Sequence, residues 1–442
     1  MVQDKDKILA LLGKARTNSS PSELLSSELL PLLDACRFLE KESAAILAPR
    51  KLGKDGQPAW LWGVDTVVYH EPVGKVLILA PGNYPLFLPM VQALHAWAAG
   101  NEVWLKSAPG SLALHQYLHQ LFLDAGGRES AFVLLGEEVE QFEKSLPLVQ
   151  KVVLVGSLET GRSVLSQAGE ALVPVVAELS GWDSVFIHPE ADLERAAQAV
   201  AFGLAINQGR TCVAPRRIFL RGHVEKFESL FLEAIGKREA RPLTQQESQV
   251  VAASVEAGAK ALQSGENMGP VLLSRIPKNH ELLSKEQFGA LAVLCVVESD
   301  QEALELARSC PFALGATLFG PEDWAEPLAH QVPAQVISIN DIIVPTADPR
   351  VPFGGSGQSG FGRMRGAEGL LEMTQTRTVS VRRSGGLDHL LAPGPLDKLI
   401  VEKYLVMSHA PGLARKGRAL LELVMGIARE RIRKRRLRYR KS

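Results

Sequence analysis

The sequence is poor in cysteine and contains no long apolar run. Its four cysteines, in 442 residues, form no Cys-x-x-Cys pair and show no regular spacing, which argues against a disulfide framework and against a zinc site. The N-terminal stretch MVQDKDKILALLGKAR lacks the uninterrupted apolar core of a signal peptide. No segment approaches the roughly 18 apolar residues of a membrane span. We therefore expect a reducing, cytoplasmic compartment and no bound metal.

The chain also lacks an overall excess of charge, but its charges are unevenly placed. Residues 412–442 hold twelve Lys and Arg against Glu422 and Glu430, so this tail carries +10 and residues 1–411 carry −10. Such asymmetry suggests that the tail has a task of its own. Over the whole chain, 46% hydrophobic and 22% charged residues are typical of a soluble α/β enzyme, and the length predicts two or three domains.

Apolar residues recur with two different periods along the chain. Helix-like spacing in residues 7–47 predicts two or three helices, and alternation in residues 58–72 predicts a β-hairpin or an extended arm. Beyond the arm, short apolar runs alternate with helical stretches, which is the pattern of doubly wound parallel sheets. The predicted strands of a first series lie at 75–80, 102–106, 131–135, 152–156, 173–178 and 184–188. Those of a second α/β domain lie at 217–220, 291–297, 316–319 and 335–339, before a late, exposed strand at 376–383.

One cysteine stands in a segment that suits a catalytic nucleophile. Cys212 follows NQGRT, in which a glycine allows a tight turn, and it precedes a predicted strand. Such a loop can expose the thiol, and nearby backbone N–H groups or cations would lower its pKa and favour the reactive thiolate. The alternative is an inert cysteine that is buried as a small apolar side chain.

Two other polar residues follow predicted strands. Glu178 ends an apolar strand and precedes Ser-Gly, so a turn there would present its carboxylate to a cleft. A partly desolvated glutamate has a raised pKa and can serve as a general base, whereas a solvated one is only a surface charge. Asn83 lies between two prolines in PGNYP, where its amide is free either to donate to an oxyanion or to cap a turn.

The segment VGSLETGR at 155–162 combines a strand end, a Gly-Ser turn and a helix start. Backbone N–H groups and the helix dipole at such a junction favour a bound phosphate. The segment lacks the Gly-x-Gly-x-x-Gly pattern, so it indicates a phosphate site only in combination with the other motifs.

Seven motifs stand in the order found in the aldehyde dehydrogenase superfamily, which the sequence resembles over roughly residues 70–385. PGNYP resembles the oxyanion-site asparagine motif, AAGNEVWLKSAP the ribose-binding lysine motif, VGSLETG the pyrophosphate turn and AELSG the general-base glutamate motif. NQGRTC resembles the nucleophile motif, KEQFGAL the second ribose-binding motif and PFGGSGQSGFGR the C-terminal glycine-rich signature. The compact chain is similar to the short, class-3 members related to fatty-aldehyde dehydrogenases.

The resemblance implies roles for individual residues. Cys212 would attack the aldehyde, Asn83 and the Cys212 backbone N–H would hold the oxyanion, and Glu178 would activate the water that hydrolyses the thioester. The cofactor, NAD or NADP, is expected to contact Lys106, Gly156, Ser157, Gly161, Glu286 and Phe288. The implied reaction is the oxidation of an aldehyde to a carboxylic acid, with apolar aliphatic aldehydes as the implied substrates.

Several positions depart from the common pattern of the superfamily, namely Ser107, Pro109, Trp182, Ala290 and Met364. Many NAD-preferring members have a glutamate where this chain has Pro109. A missing carboxylate removes both a hydrogen bond to a ribose hydroxyl and a repulsion against a 2′-phosphate, so NAD and NADP both stay open. Two alternatives also stay open: an acyl-transferring enzyme that passes the thioester to CoA, and a catalytically silent scaffold.

The predicted architecture has two doubly wound α/β domains and a β arm. We expect a Rossmann-type NAD(P)-binding domain at 1–180, with the arm hairpin at about 53–72, and a catalytic domain at 181–365. Residues 366–385 form a return segment and strand. This strand and the arm resemble the family's oligomerisation elements, which implies a homodimer, with a tetramer left open. Residues 386–442 form a basic helical extension.

The basic tail lies outside the resemblance. One face of its predicted helix carries Leu420, Leu421, Val424, Ile427 and Ala428, before a dense Arg/Lys end. Such a helix either packs on its own protein or docks on an anionic membrane surface or a protein partner, which would make the enzyme peripheral to a membrane. Nucleic acid is disfavoured as a partner, because the tail has a single aromatic residue and the body is acidic.

Overall fold

The computed structural model describes residues 1–390, 392, 394 and 397–439. Three N-terminal helices confirm the helical start predicted for residues 7–47. The helices of the described residues are α1 (Lys5–Ala15), α2 (Pro21–Leu24), α3 (Leu30–Ile46), α4 (Phe87–Ala98), α5 (Leu112–Asp124), α6 (Val139–Ser145), α7 (Leu158–Glu170), α8 (Leu193–Ala205), α9 (Val224–Gly236), α10 (Gln245–Glu256), α11 (Asp300–Arg308), α12 (Glu322–Ala329), α13 (Gly366–Glu372), α14 (Asp397–His409) and α15 (Leu413–Tyr439).

The strands alternate with these helices along most of the chain. They are β1 (Arg50–Leu52), β2 (Val64–Pro72), β3 (Lys75–Leu79), β4 (Glu102–Lys106), β5 (Phe132–Leu135), β6 (Lys151–Val155), β7 (Val175–Glu178), β8 (Asp183–Ile187), β9 (Pro215–Leu220), β10 (Arg241–Pro242), β11 (Lys260–Leu262), β12 (Met268–Gly269), β13 (Val271–Ser274), β14 (Leu291–Val296), β15 (Phe312–Ala313), β16 (Gly315–Phe319), β17 (Val336–Ile339), β18 (Ser356–Gly357), β19 (Gly360–Phe361) and β20 (Thr374–Arg382).

The first large sheet has six strands in the order β19-β7-β6-β3-β4-β5. The five strands from β7 to β5 are parallel, and β19 is antiparallel to β7 at the edge. Strands such as KVLIL and KVVLV are continuous apolar runs because separate apolar cores cover both faces of the sheet. The five predicted strands of this sheet agree with the observed bounds to within two residues.

The second large sheet has seven strands in the order β11-β13-β14-β9-β8-β16-β17, parallel except for β11. The strand predicted at 184–188 is β8, so it belongs to this sheet and not to the first series. The predicted fold class, a pair of doubly wound α/β sheets, is confirmed. The chain passes from one sheet to the other between β7 and β8, next to the predicted boundary at residue 180; the domain limits themselves stay predictions.

A third sheet has three strands in the order β1-β2-β20. The hairpin predicted at 58–72 is only partly extended, because β2 begins at Val64 and Ala59–Leu61 form a 3₁₀ turn. The Gln57 amide holds that turn by donating to the carbonyls of Leu61 and Val64, at 3.2 and 2.7 Å. The predicted late strand is β20, at one edge of this sheet.

The chain divides into two compact units. The first comprises residues 1–51 and 67–379, and the second comprises residues 52–66 and the chain beyond 379. In the second unit α15 packs on α14, with Ala419 and Leu423 buried and a Lys403–Glu422 salt bridge of 2.5 Å. Among the described residues, none of the helices combines the length and the apolarity needed to cross a bilayer.

Candidate active site

Three predicted catalytic residues lie at strand ends around one cavity of about 720 Å³. Asn83 follows β3, Glu178 is the last residue of β7, and Cys212 lies shortly before β9. The edge at which parallel strands end is the usual place for a ligand site in α/β sheets. Of the nine predicted site residues, eight line this cavity: Asn83, Lys106, Gly156, Ser157, Glu178, Cys212, Glu286 and Phe288.

The loop before Cys212 has an unusual backbone. Asn207, Gln208 and Gly209 lie in the left-handed region in succession, with φ of 49°, 55° and 73°. A Cβ atom on Gly209 would lie 2.4 Å from the Cα of Ala290, so glycine is needed there for a second reason. The turn presents the Cys212 thiol half-buried, against Val213, Leu314 and Phe353.

The electrostatic surroundings of the thiol differ from the expectation. Burial raises the pKa of Cys212 well above its ordinary value, and the charge of Glu178 raises it further, while Arg365 opposes the shift. The predicted lowering of the thiol pKa is therefore wrong for this structure, because burial and the charge of Glu178 both disfavour the thiolate. A proton acceptor beside the sulfur is then needed to form the thiolate.

Glu178 is suited to be that acceptor. Its side chain is 1% exposed, and neither carboxylate oxygen has a hydrogen-bond partner among the described residues. Burial raises the pKa of Glu178, and interactions with Cys212 and Arg365 oppose this. The desolvated carboxylate predicted from the sequence is thus present, in place of the solvated alternative.

Asn83 is fixed by hydrogen bonds on both sides of its amide. Its Nδ2 donates to the Arg210 carbonyl at 2.9 Å, and its Oδ1 accepts from the Tyr84 backbone N–H at 3.0 Å. The backbone carbonyl of Asn83 accepts from Asn207 Nδ2 at 2.8 Å. Asn83 therefore caps its turn and also joins the loop of Cys212, and one amide hydrogen is left for a ligand.

The other end of the cavity carries the predicted cofactor residues. Lys106 Nζ donates to the carbonyls of Ser107 and Glu137 at 3.2 and 2.7 Å, and burial lowers the pKa of Lys106. Burial raises the pKa of Glu286, with Ser180 and Arg216 opposing. A lysine and a carboxylate at the two sides of one cleft offer a donor and an acceptor for sugar hydroxyls.

The pyrophosphate turn has the predicted strand-turn-helix geometry. Ser157 caps α7 by accepting from the Thr160 N–H at 3.1 Å, and Gly156 and Ser157 line the cavity. Gly161 is the predicted site residue that does not line it. A Cβ atom there would lie 2.6 Å from the Leu179 side chain, so this glycine allows α7 to approach β7.

The comparisons with known proteins agree with the site geometry described so far. Residues 1–379 match the aldehyde dehydrogenase family. The chain belongs to the aldehyde dehydrogenase family. The match begins about 70 residues before the predicted resemblance, so the helices α1 to α3 are part of the family region.

Named relatives fit this assignment. The chain is 29% identical to a 4,4′-diapolycopene aldehyde oxidase of a Methylomonas species, over 84% of this chain and 73% of the relative. It is 27% identical to a succinate semialdehyde dehydrogenase [NAD(P)+] of Escherichia coli (strain K12), over 82% of each. The crystal structure of the Streptococcus pyogenes succinic semialdehyde dehydrogenase in complex with NADP+ has the same fold, with a TM-score of 0.78, 21% identity and coverage of 86% and 87%.

These comparisons confirm the predicted family, fold and enzyme class, an oxidoreductase of the aldehyde dehydrogenase type. The sequence favours neither NAD nor NADP, and the names of the relatives and solved structures include both cofactors.

Arg365 and Arg216 are buried arginines near the site that no sequence motif singled out. Arg365 is 4% exposed, its guanidinium lies 4.3 Å from the Phe353 ring and 5.5 Å from the Phe87 ring, and its Nε has no partner among the described residues. Arg216 donates to the carbonyls of Gly209, Gly289 and Leu291. Two adjacent charges inside the apolar strand PRRIFL were the available signal for Arg216.

Two departures from the family pattern are packed into the enzyme's core. Trp182 is 1% exposed, and its Nε1 donates to the Leu282 carbonyl at 2.7 Å. The Arg216 guanidinium lies 5.7 Å from the Trp182 ring. Met364 is buried in one of the two apolar cores that cover the first large sheet. Both residues therefore have a packing role, which weakens the argument that they mark a silent scaffold.

Proposed function

We propose that this chain oxidises an aldehyde to a carboxylic acid with NAD or NADP, through a thiohemiacetal and a thioester on Cys212. The observation that carries the proposal is the meeting around one cavity of a half-buried thiol, an anchored amide and a buried carboxylate that has no hydrogen-bond partner among the described residues. The NAD(P) dependence in the relatives' names supports the choice of cofactor.

The residues can be assigned to successive steps. Glu178 accepts the thiol proton, and the Cys212 sulfur forms a bond to the carbonyl carbon. The Asn83 amide and the Cys212 backbone N–H hold the oxyanion. NAD or NADP, when bound, would supply the acceptor for the hydride that the thiohemiacetal loses, and a thioester on Cys212 would remain. Glu178 then releases its first proton to solvent and takes a second proton from water. The water oxygen attacks the thioester carbon, the C–S bond breaks and the acid leaves.

Lys106, Glu286 and the N-terminus of α7 are the groups that would hold the cofactor. Lys106 and Glu286 suit the two riboses, Gly156 and Ser157 the pyrophosphate, and the half-exposed Phe288 ring the nicotinamide end. The apolar side chains around Cys212 favour an apolar aldehyde.

A panel assay tests the proposal. The protein is incubated with aldehydes of different size and polarity and with each cofactor, with and without CoA, and the reduced cofactor is measured by absorbance. We expect CoA-independent signal from the wild type and none from Cys212→Ala. A signal that requires CoA would identify the acyl-transferring alternative, and no signal with any aldehyde would favour the scaffold.

We also propose a homodimer that forms through β20. This strand is exposed along nearly its whole length and lies at the edge of its sheet, with Val379 and Val381 exposed. An open edge of this kind suits pairing with a second copy. Sedimentation of the wild type and of a Val379→Lys, Val381→Lys double variant tests it, and a wild-type monomer would contradict it.

For the tail we propose reversible docking on an anionic membrane surface. Leu420, Leu421, Val424 and Ile427 stay exposed on α15 although another face packs on α14. Exposed apolar residues near a +10 charge suit an anionic interface. We expect the wild type to cosediment with phosphatidylserine vesicles. High salt, or ending the chain at residue 385, should abolish this binding. Equal binding of both chains, or of neither, would contradict it.

A further inference from the structure

Three charged side chains of the N-terminal helices meet next to the catalytic loops. Arg16, at the end of α1, is 4% exposed and Glu28 is fully buried. The Arg16 guanidinium reaches Glu23 Oε1 at 2.6 Å with Nη2 and Glu28 Oε1 at 3.0 Å with Nη1. One arginine thus binds two carboxylates, and none of the three has been given a role above.

Each carboxylate holds the backbone of a different catalytic loop. Glu23 Oε1 accepts the N–H of Asn207 at 3.1 Å, in the left-handed turn before Cys212. Glu28 Oε2 accepts the N–H groups of Leu86 and Phe87 at 3.1 and 2.7 Å, just after Asn83. Hydrogen bonds between a carboxylate and backbone N–H groups are short and directional, so they fix the backbone to which they bind.

A third link joins the same two loops. The Tyr84 ring lies 4.8 Å from the Arg16 guanidinium, and the Tyr84 hydroxyl lies 2.6 Å from Thr211 Oγ1, one residue before Cys212. Arg16 therefore contacts, directly or through one residue, the segments on both sides of the proposed oxyanion site. Burial raises the pKa of Glu28 to about 7, while Arg16 and the two backbone N–H groups favour its carboxylate form.

We propose that Arg16, through Glu23 and Glu28, is a positioning residue that sets the separation of the Asn83 amide from the Cys212 backbone N–H. The inference rests on the proposed function, in which these two groups bind the oxyanion. Removing Arg16 leaves the buried Glu28 and the partly exposed Glu23 without their cation, so both loops lose their fixed anchor. Among the described residues, no hydrogen bond or salt bridge joins Arg16, Glu23 or Glu28 to the predicted cofactor residues.

Arg16→Met and a matched control test the inference. Arg275 is also an arginine shared by two glutamates, at 2.8 Å from Glu225 and 2.9 Å from Glu228, but among the described residues neither glutamate accepts a hydrogen bond from a catalytic loop. We expect kcat to fall at least tenfold in Arg16→Met, with KM for the cofactor within twofold of the wild type. Arg275→Met should keep wild-type kcat, and Arg16→Lys should restore part of it.

Hydrogen exchange gives a readout that does not depend on activity. In Arg16→Met, amide exchange in peptides spanning 84–90 and 205–212 should rise at least fivefold, while a peptide spanning 291–296 stays protected. Faster exchange in all three peptides, or an unchanged kcat in folded Arg16→Met, would overturn the inference. A wild type without activity would instead overturn the proposed function, and the exchange pattern would still report whether Arg16 holds the loops.

Discussion

Glu178 and Cys212 share one buried environment and influence each other's ionisation. Burial raises the pKa of both groups; the charge of Glu178 raises the pKa of Cys212 further, whereas the Cys212 thiol lowers the pKa of Glu178. Such a pair titrates in steps that belong to both residues together. A thiol with a raised pKa is a poor nucleophile alone, so the adjacent carboxylate decides whether the thiolate forms.

Replacing Glu178 by glutamine should separate the two halves of the proposed reaction. We expect turnover to fall by about 10²- to 10⁴-fold, the usual effect of losing a general base. Loss of the negative charge beside the sulfur lowers the pKa of Cys212 and partly offsets the missing proton acceptor during acylation, whereas hydrolysis loses its base without any offset, so acylation should persist better than hydrolysis. Mass spectrometry of quenched Glu178→Gln should then show an acyl group on Cys212; wild-type turnover would contradict the assignment.

Arg365 should set the pH range of the enzyme. Its charge lowers the pKa of both Cys212 and Glu178, so its removal raises both, and the acidic limb of the kcat profile should move to higher pH. Arg365→Met is compared with Arg363→Met, because Arg363 binds Gln335 at 3.0 Å and not the catalytic pair. The same shift in both variants, or in neither, would show that Arg365 has no special role.

At the scale of elements, the left-handed turn before Cys212 depends on one close approach. Gly209→Ala would add both a backbone penalty and a clash with Ala290. Gly258 has φ of 98°, and an added Cβ atom would meet nothing within 4 Å among the described residues, so Gly258→Ala carries the backbone penalty alone, about 1–2 kcal/mol. We expect Gly209→Ala to unfold at clearly lower denaturant than Gly258→Ala and to lose more kcat. Equal losses in the two variants would mean that Ala290 moves aside at little cost in free energy.

The large elements could be predicted from the sequence, and the small or polar ones could not. β3 and β14 are apolar runs of five and six residues and were predicted, whereas β13, a run of four residues shortly after a polar segment, was missed. α10 was missed because its residues are mostly polar, although Thr244 and Glu247 form a capping box that was a usable signal.

The same limit applies to the site. Cys212, Glu178 and Asn83 stand in recognisable motifs, each next to a strand. The contact of Glu23 with Asn207 joins residues 184 positions apart, so no local pattern reports it. Arg365 was missed for a similar reason, since its aromatic neighbours come together only in the folded chain.

For the whole molecule, one carboxylate ties the edge of the second sheet to a helix. Glu228 of α9 accepts from Lys260 and Ser274, each at 2.6 Å, and from Arg275 at 2.9 Å. Burial alone would raise the pKa of Glu228, but the hydrogen bonds from Arg275, Lys260 and Ser274 hold it at about 2. The folded state therefore favours the ionised form.

Glu228→Gln should accordingly lower stability in a pH-dependent way. A depressed pKa contributes stability above the unfolded value of 4.5, and that contribution is lost as the pH falls towards 2. We expect a loss of about 1 kcal/mol at pH 7, because both cations are half-exposed, and a smaller loss at pH 3. Urea unfolding at the two pH values measures it, and an equal loss at both would contradict it.

The sharing of Arg16 by two acids constrains the order in which the chain can change. Losing the arginine first leaves the buried Glu28 and the partly exposed Glu23 without a cation, while neutralising Glu23 and Glu28 first leaves a lone buried cation. Both intermediates have lower stability because a charge has lost its partner, so we expect the three residues to be replaced together or not at all. A triple Arg16→Met, Glu23→Gln, Glu28→Gln chain should melt above the Arg16→Met single variant, although it carries more substitutions.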